Sequence, residues 1–164
     1  MFYVISDLHG YPLDKFQKLL AGADFCRDDR LFILGDVIDR NGDGGVEMLN
    51  WLRRQNNIQL LLGNHEAMLL SVLDARGDER RERLKNYQAS GGDVTWDALA
   101  SMKTRMPEDV KAIEDYLRKA PLYRVIEVNN SRYLLVHGGL DNFRKEKRVS
   151  EYSPDEFLWA WPEI

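Results

Sequence analysis

The sequence predicts an α/β fold of the layered, α+β sandwich type. A β-α-β-α-β core is expected to carry a helical insert and a mostly antiparallel second sheet left incomplete. Three observations predict it. Strand-like apolar runs alternate with helical periodicity three times, at intervals of about 28 residues. Each of these runs ends in a polar, glycine-bearing loop. After Pro121 the apolar period changes from helical to two. The 164 residues, 44% of them hydrophobic, suit a single domain over 1–164.

Residues 2–6 (Phe-Tyr-Val-Ile-Ser) read as a buried strand, followed by the loop Asp7-Leu8-His9-Gly10. Pro12 then opens a helix with Leu13, Phe16, Leu19 and Leu20 on one face and Gly22 as its stop. The second unit has a strand at 31–34, a glycine-rich acidic loop at 35–45 and a helix at 46–54. The third has a strand at 58–62, a break at Gly63-Asn64 and a helix at 65–75. Strands that alternate with helices pair in parallel through right-handed crossovers, which brings their polar C-terminal loops to one sheet edge.

The insert covers about 76–120. A charged helix runs from Asp78 to Tyr87, Asp93 is a candidate cap for a segment holding Trp96 and Leu99, and Glu108 to Ala120 is amphipathic. Arg76, Arg80, Arg81, Arg83 and Lys85 are interleaved with Asp78, Glu79 and Glu82, the pattern of a solvated face rather than of a polyanion site. Residues 123–128 and 132–136 alternate about an Asn129-Asn130-Ser131 turn, which predicts a hairpin ending at His137-Gly138-Gly139. Ser153-Pro154-Asp155-Glu156 has the form of a capping box. Trp159 and Trp161 are expected in core or interface.

Composition excludes several classes of function. With 23 Lys and Arg against 27 Asp and Glu, the net charge of -4 gives no general attraction to nucleic acid or to anionic membranes. No apolar run approaches the roughly 20 residues that a bilayer span needs. The opening residues lack a basic leader, and the single cysteine, Cys26, cannot form an internal disulfide; both point to the cytoplasm.

Chemistry concentrates at four strand ends: Asp7-x-His9, Gly35-Asp36-x-x-Asp39-Arg40, Gly63-Asn64-His65-Glu66 and His137-Gly138-Gly139. Any one of them could be a simple turn. Together they hold all three histidines of the chain at positions that a parallel sheet would bring to one edge. Aspartate, asparagine and histidine form a borderline-hard ligand set, suited to Mn, Fe, Zn or Co rather than to a thiolate-bound structural zinc. Five candidate ligands exceed what one open catalytic ion takes from protein, so two ions are the simpler reading. Paired ions roughly 4 Å apart can share a hydroxide and clamp a phosphoryl group for in-line displacement.

In this order and spacing, Asp-Leu-His-Gly, Gly-Asp-Val-Ile-Asp-Arg, Gly-Asn-His-Glu and His-Gly-Gly resemble the calcineurin-like metallophosphoesterases, in the bacterial serine/threonine phosphoprotein phosphatase branch. The resemblance runs from residue 3 to at least 140. It implies Asp7 and His9 as ligands of a first metal, Asp36 as the bridge, and Asn64 and His137 as ligands of a second. It also implies His65 as general acid, Asp39 as its partner and Arg40 as phosphate clamp; Glu66 reads either as a support behind the site or simply as a favourable acid in the first turn of the following helix. Gly10, Gly35, Gly63 and Gly138 are expected to permit sharp turns and close backbone approach. Two divalent cations follow, Mn first, with Fe, Zn, Co or Ni as alternatives.

Two departures stand out. Asn41 occupies a position where the family more often has glycine, and asparagine is expected to tolerate the left-handed backbone there. A further metal-ligand histidine, which the family supplies from a downstream Gly-His segment, is absent before Ile164. The chain therefore reads as cut short at its C-terminus, with an exposed sheet edge open to a homodimer. The leading activity is metal-dependent hydrolysis of phosphomonoesters, of phosphoproteins or of small phosphoesters. The first alternative is a dinucleoside polyphosphate (diadenosine tetraphosphate) hydrolase, whose known members usually lack the acid at Asp39 and carry Asp at Glu66. The second is a non-catalytic metal-binding domain.

Overall fold

A computed structural model describes residues 1–160. The core sheet contains β1 (Phe2–Ile5), β2 (Arg30–Ile33) and β3 (Ile58–Leu60), in that order and all parallel, with Tyr3 beside Leu31 and Leu31 beside Ile58. The crossover helices are α1 (Leu13–Gly22) and α2 (Val46–Leu52). Phe16 of α1 and Leu49 and Leu52 of α2 are fully buried against the sheet with Ile33. Each such side chain contributes about 1.5–3 kcal/mol of apolar burial.

After β3 come α3 (Asn64–Asp74), α4 (Gly77–Tyr87), α5 (Asp93–Arg105) and α6 (Pro107–Arg118). These helices share the central core: Leu69, Tyr87, Ile113 and Leu117 pack in one cluster with the sheet residues. Asp93 does not cap a new helix as expected. A kink at Gln88–Gly92, where Gly91 takes a non-helical φ of +94°, separates α4 from α5, and Asp93 is already the first residue of α5. On α4 the interleaved charges pair locally, Arg81 with Asp78 and Arg83 with Glu79, as a solvated face should.

The hairpin forms from β4 (Tyr123–Val128) and β5 (Ser131–Val136). Its two-residue turn is Asn129-Asn130, both with positive φ, the type that matches strand twist. The short helix α7 (Pro154–Leu158) has the predicted capping box. The Ser153 hydroxyl accepts from the Glu156 N–H at 3.4 Å, and the Glu156 carboxylate accepts from the Ser153 N–H at 2.8 Å. No helix among the described residues is long and apolar enough to cross a membrane.

Candidate metal centre

The β1–β2 pairing continues past the strand ends. The His9 N–H donates to the Asp36 carbonyl at 2.9 Å, and the Gly10 N–H donates to the Val37 carbonyl at 2.9 Å. This continuation sets the loop after β1 beside the loop after β2, with His9 beside Asp36. The loop after β3 then passes back to back with the loop after β2, because neither carries a side chain at the crossing. A Cβ on Gly35 would lie 2.4 Å from Gly63 Cα. At the N-terminus of α3, the His65 N–H donates to Asp36 Oδ1 at 3.1 Å, placing the positive end of the helix at this carboxylate. His137, at the end of β5, reaches across to the core sheet, where its Nδ1 lies 2.6 Å from the Leu34 carbonyl.

All eight expected residues therefore meet at one edge. Asp36 belongs to two groups whose ligand atoms lie within 4.8 Å of one another: His9, Asp36 and His65, and Asp7, Asp36 and His137. Asp7, expected with His9, falls in the group with His137, with its carboxylate 3.8 Å from His9 Nε2.

Proton positions test whether a cation fits. His9 Nδ1 lies 3.0 Å from the Ile38 carbonyl, and His137 Nδ1 has the carbonyl of Leu34. A carbonyl only accepts, so both Nδ1 atoms carry protons, and in the neutral imidazole, the form that binds a metal, each Nε2 presents a lone pair inward. His9 Nε2 then faces Asp36 Oδ2 at 3.6 Å, and His137 Nε2 faces Asp36 Oδ1 at 3.4 Å. Lone pairs set against carboxylate oxygens repel unless positive charge lies between them. The Asn64 amide joins this cluster 2.8 Å from His137 Nε2: turned nitrogen-inward it donates to Asp36 and His137, and turned oxygen-inward it adds one more acceptor. The donor set fits a divalent cation with nitrogen and oxygen ligands.

Beside these groups lies the pair His65 and Asp39. His65 Nδ1 donates to Asp39 Oδ2 at 2.7 Å, and Arg40 Nη2 lies 3.1 Å from His65 Nε2. Burial draws the His65 imidazole down, but the Asp39 hydrogen bond and the charges of Asp36 and Asp39 outweigh it and hold it above its ordinary value. Arg40 is exposed at the mouth. A cleft of about 380 Å³ opens there, lined by Asp7, Asp36, Arg40, Asn64, His137 and Trp159. Trp159, expected in core or interface, is 46% exposed and faces this cleft. Trp161 lies outside the described residues.

Several expectations change. Asn41 is not left-handed; the strained positions are its neighbours, Asp39 at φ +76° and Arg40 at φ +70°. Gly10 and Gly35 do take positive φ, whereas Gly63, at φ −95°, is glycine for want of space. Glu66 does more than start a helix. Fully buried, it accepts from the N–H groups of Asp36 (2.8 Å), Val37 (2.8 Å), Ile38 (3.3 Å) and Gly63 (3.0 Å), so one carboxylate ties the second and third loops together. Burial and the Asp36 charge push its carboxyl up to about 7, against the pull of those N–H bonds. A glutamate three residues after a helix-capping position was the sequence signal for part of this. Tyr87 and Thr95 were missed altogether. Both hydroxyls lie 2.5 Å from Asp39 Oδ1, reaching it from the insert, 48 and 56 residues further along the chain.

Residues 1–163 match the sequence pattern of the Calcineurin-like phosphoesterase family. Over 140 residues the chain is 31% identical to a symmetrical bis(5'-nucleosyl)-tetraphosphatase of Chromobacterium violaceum, and 30% identical to one of Erwinia tasmaniensis. These alignments cover 84% of this chain and 43% and 44% of the relatives, so the chain spans less than half of their length. Among solved structures, one provisionally named a diadenosine tetraphosphatase superposes with a TM-score of 0.55 at 23% identity, over 94% of this chain and 56% of that one. A Saccharomyces cerevisiae protein serine/threonine phosphatase with similarity to human PP5 superposes at 0.52 and 21%, over 99% of this chain and 53% of that one. Both share the fold.

Proposed function

Because the chain belongs to the calcineurin-like phosphoesterase family, we propose that it hydrolyses phosphorus–oxygen bonds at the Asp36 centre with two divalent cations, and that dinucleoside tetraphosphates are its substrates. The observation that carries the reaction class is the convergence of Asp7, His9, Asp36, Asn64 and His137, with the Nε2 atoms of His9 and His137 facing the two oxygens of one carboxylate. The substrate rests on the names of the curated relatives.

In this reading Asp7, His9, Asp36, Asn64 and His137 would hold the cations, with Asp36 common to both ligand groups. Bound there, they supply the Lewis acidity that activates a water and neutralises phosphoryl oxygens. Arg40, a planar fork at the mouth of the cleft, binds two nonbridging oxygens of the phosphate. His65 donates a proton from Nε2 to the departing oxygen, while Asp39 holds Nδ1 and stabilises the imidazolium. The N-terminus of α3 adds its dipole to the anion-binding field.

The His65–Asp39 pair favours a second reading, a phosphomonoester of serine, threonine or a phenol. A nucleotide leaves as a phosphate whose last pKa is about 6, and needs little help from an acid. An alkoxide is far more basic and leaves well only when protonated, which gives a buried and oriented imidazole a task. Turnover with Mn²⁺ on diadenosine tetraphosphate and on a phosphoserine peptide separates the two. The first reading expects the nucleotide to have the higher kcat/KM, and a preference of more than tenfold for the peptide overturns it. Asp36→Asn is expected to abolish turnover on both; retained turnover overturns the assignment of the centre.

A further inference from the structure

The helical insert reaches the acid pair. Asp39 is fully buried, and three side chains meet its carboxylate: His65 Nδ1 at Oδ2, and the hydroxyls of Tyr87 and Thr95 at Oδ1. Tyr87 closes α4 and Thr95 lies in the first turn of α5, and both are buried. The same short stretch also holds the backbone around Asp39. The Asp39 N–H donates to the Thr95 hydroxyl at 3.0 Å, and the Arg40 N–H donates to the Gly91 carbonyl at 2.9 Å. The Thr95 hydroxyl also lies 3.0 Å from the Gly44 carbonyl, and a Cβ on Gly44 would collide with Thr95 Oγ1 at 2.3 Å, so loop and helix are in closest contact there.

Asp39 and Arg40 are consecutive left-handed residues, and arginine has no local bonding that favours this conformation. Such a pair persists only where the surroundings over-determine it. The insert supplies that determination from one side. It also sets the carboxylate: with both hydroxyls donating to Oδ1, Oδ2 is left to accept from His65 Nδ1.

We infer that Tyr87 and Thr95 are positioning residues, which act through Asp39 to hold His65 for proton delivery to the leaving oxygen. The helical insert is then part of the catalytic device rather than a decoration on the domain. The inference rests on the reading of His65 as general acid.

Leaving-group dependence tests it. In the Mn²⁺-loaded chain, kcat is measured on phenyl, 4-nitrophenyl and 2,4-dinitrophenyl phosphates, whose leaving groups need progressively less protonation. His65→Ala is expected to lose at least a hundredfold on phenyl phosphate and little on the dinitrophenyl ester. Tyr87→Phe, which keeps the ring, and Thr95→Val, which keeps the shape, are each expected to lose about tenfold on phenyl phosphate. On the dinitrophenyl ester they should stay within about twofold, with KM unchanged throughout. Thr95→Ser restores the hydroxyl and should restore the rate. Equal losses on all three esters would make the role purely structural and overturn the inference. A His65→Ala loss that is selective, beside Tyr87→Phe and Thr95→Val rates that match the unaltered chain, would overturn the inference and leave the acid assignment standing. A non-selective His65→Ala would overturn the acid assignment itself. A readout without turnover is the ¹H resonance of the His65 Nδ1 proton in ¹⁵N-histidine-labelled protein, assigned by its loss in His65→Gln. Tyr87→Phe is expected to shift or broaden it, and an unchanged resonance counts against the inference.

Discussion

Replacing Gly63 by alanine should damage the centre while leaving the backbone conformation free of strain. Gly63 has φ −95° and ψ 172°, an extended geometry open to any residue. Space is what it lacks: a Cβ would lie 2.3 Å from Asp36 Oδ1, 2.4 Å from the Asp36 backbone nitrogen and 2.6 Å from Glu66 Oε2. Ordinary contacts begin near 3.4 Å, so each neighbour must retreat by about 1 Å. None is the free end of a flexible chain. Asp36 accepts from His65, and Glu66 is held by four backbone N–H groups. Overpacking costs about 1–3 kcal/mol and the two weakened bonds to Glu66 about 1 kcal/mol each, giving about 3–5 kcal/mol. For a chain of this size that lowers Tm by on the order of 10 °C. Displacement of Asp36 should also weaken Mn²⁺ binding at least tenfold in calorimetric titration. Gly22, in the last turn of α1, has nothing within 4 Å of its Cβ position, so Gly22→Ala should stabilise by about 0.5–1 kcal/mol. A Gly63→Ala chain that melts within about 2 °C of the unaltered protein and binds Mn²⁺ equally well would refute the reasoning.

Because Asp36 is common to both ligand groups, Asp36→Asn is expected to lower metal content by plasma mass spectrometry from two ions per chain to at most one. Mn²⁺ at a hundredfold excess over its Kd should stabilise the fold by about 2.7 kcal/mol, visible as a rise in Tm that EDTA reverses; a melt insensitive to both would remove the metal centre. At the far end of α3, the Arg118 guanidinium holds the Asp74 carboxyl below its ordinary range. A carboxyl depressed by folding stabilises above its unfolded pKa of about 3.9, and that stability fades as pH falls through the folded value. Asp74→Asn should therefore cost well under 1 kcal/mol at pH 7, since the pair is exposed, and the difference from the unaltered protein should vanish in acid denaturation profiles below the carboxylate range.

The parallel core and the meeting of the candidate ligands at one edge were legible because they follow from local chemistry. Apolar runs of strand length mark β1 to β3, and a parallel sheet must place their following loops on one edge. Asp7, His9, Asp36 and His137 are in such loops or immediately beyond a strand, and Asn64 opens the helix that follows the third loop. Less legible was whatever depends on packing between distant segments. Tyr87 looked like the end of a charged surface helix and Thr95 like an ordinary helical residue, and only the folding of α4 and α5 back against the loop after β2 makes them partners of Asp39. Gly63 was expected to serve a sharp turn and close backbone approach alike, because sequence shows the absence of a side chain but not whether conformation or crowding demands it; crowding does. Trp159 was weighed by hydrophobicity, which carries no information on which wall of a cleft it forms.

Ligand chemistry and backbone geometry converge on the same residue types here. Among the described residues, nine non-glycine positions have positive φ, and eight are Asp, Asn or His. Short polar side chains tolerate this region best, since they bond back to their own backbone. They are also the oxygen and nitrogen donors that a Mn-like cation takes. Asp7, His9 and Asp36 can thus turn the chain sharply after β1 and β2 and project a side-chain donor from the turn itself. Arg40 is the exception, left-handed without that tolerance. Its conformation has to come from outside the loop, through the Gly91 carbonyl bonded to its N–H and the hydroxyls fixing Asp39 beside it. The helices between the third strand and the hairpin are therefore what allows an arginine to stand next to an aspartate at the rim of this cleft.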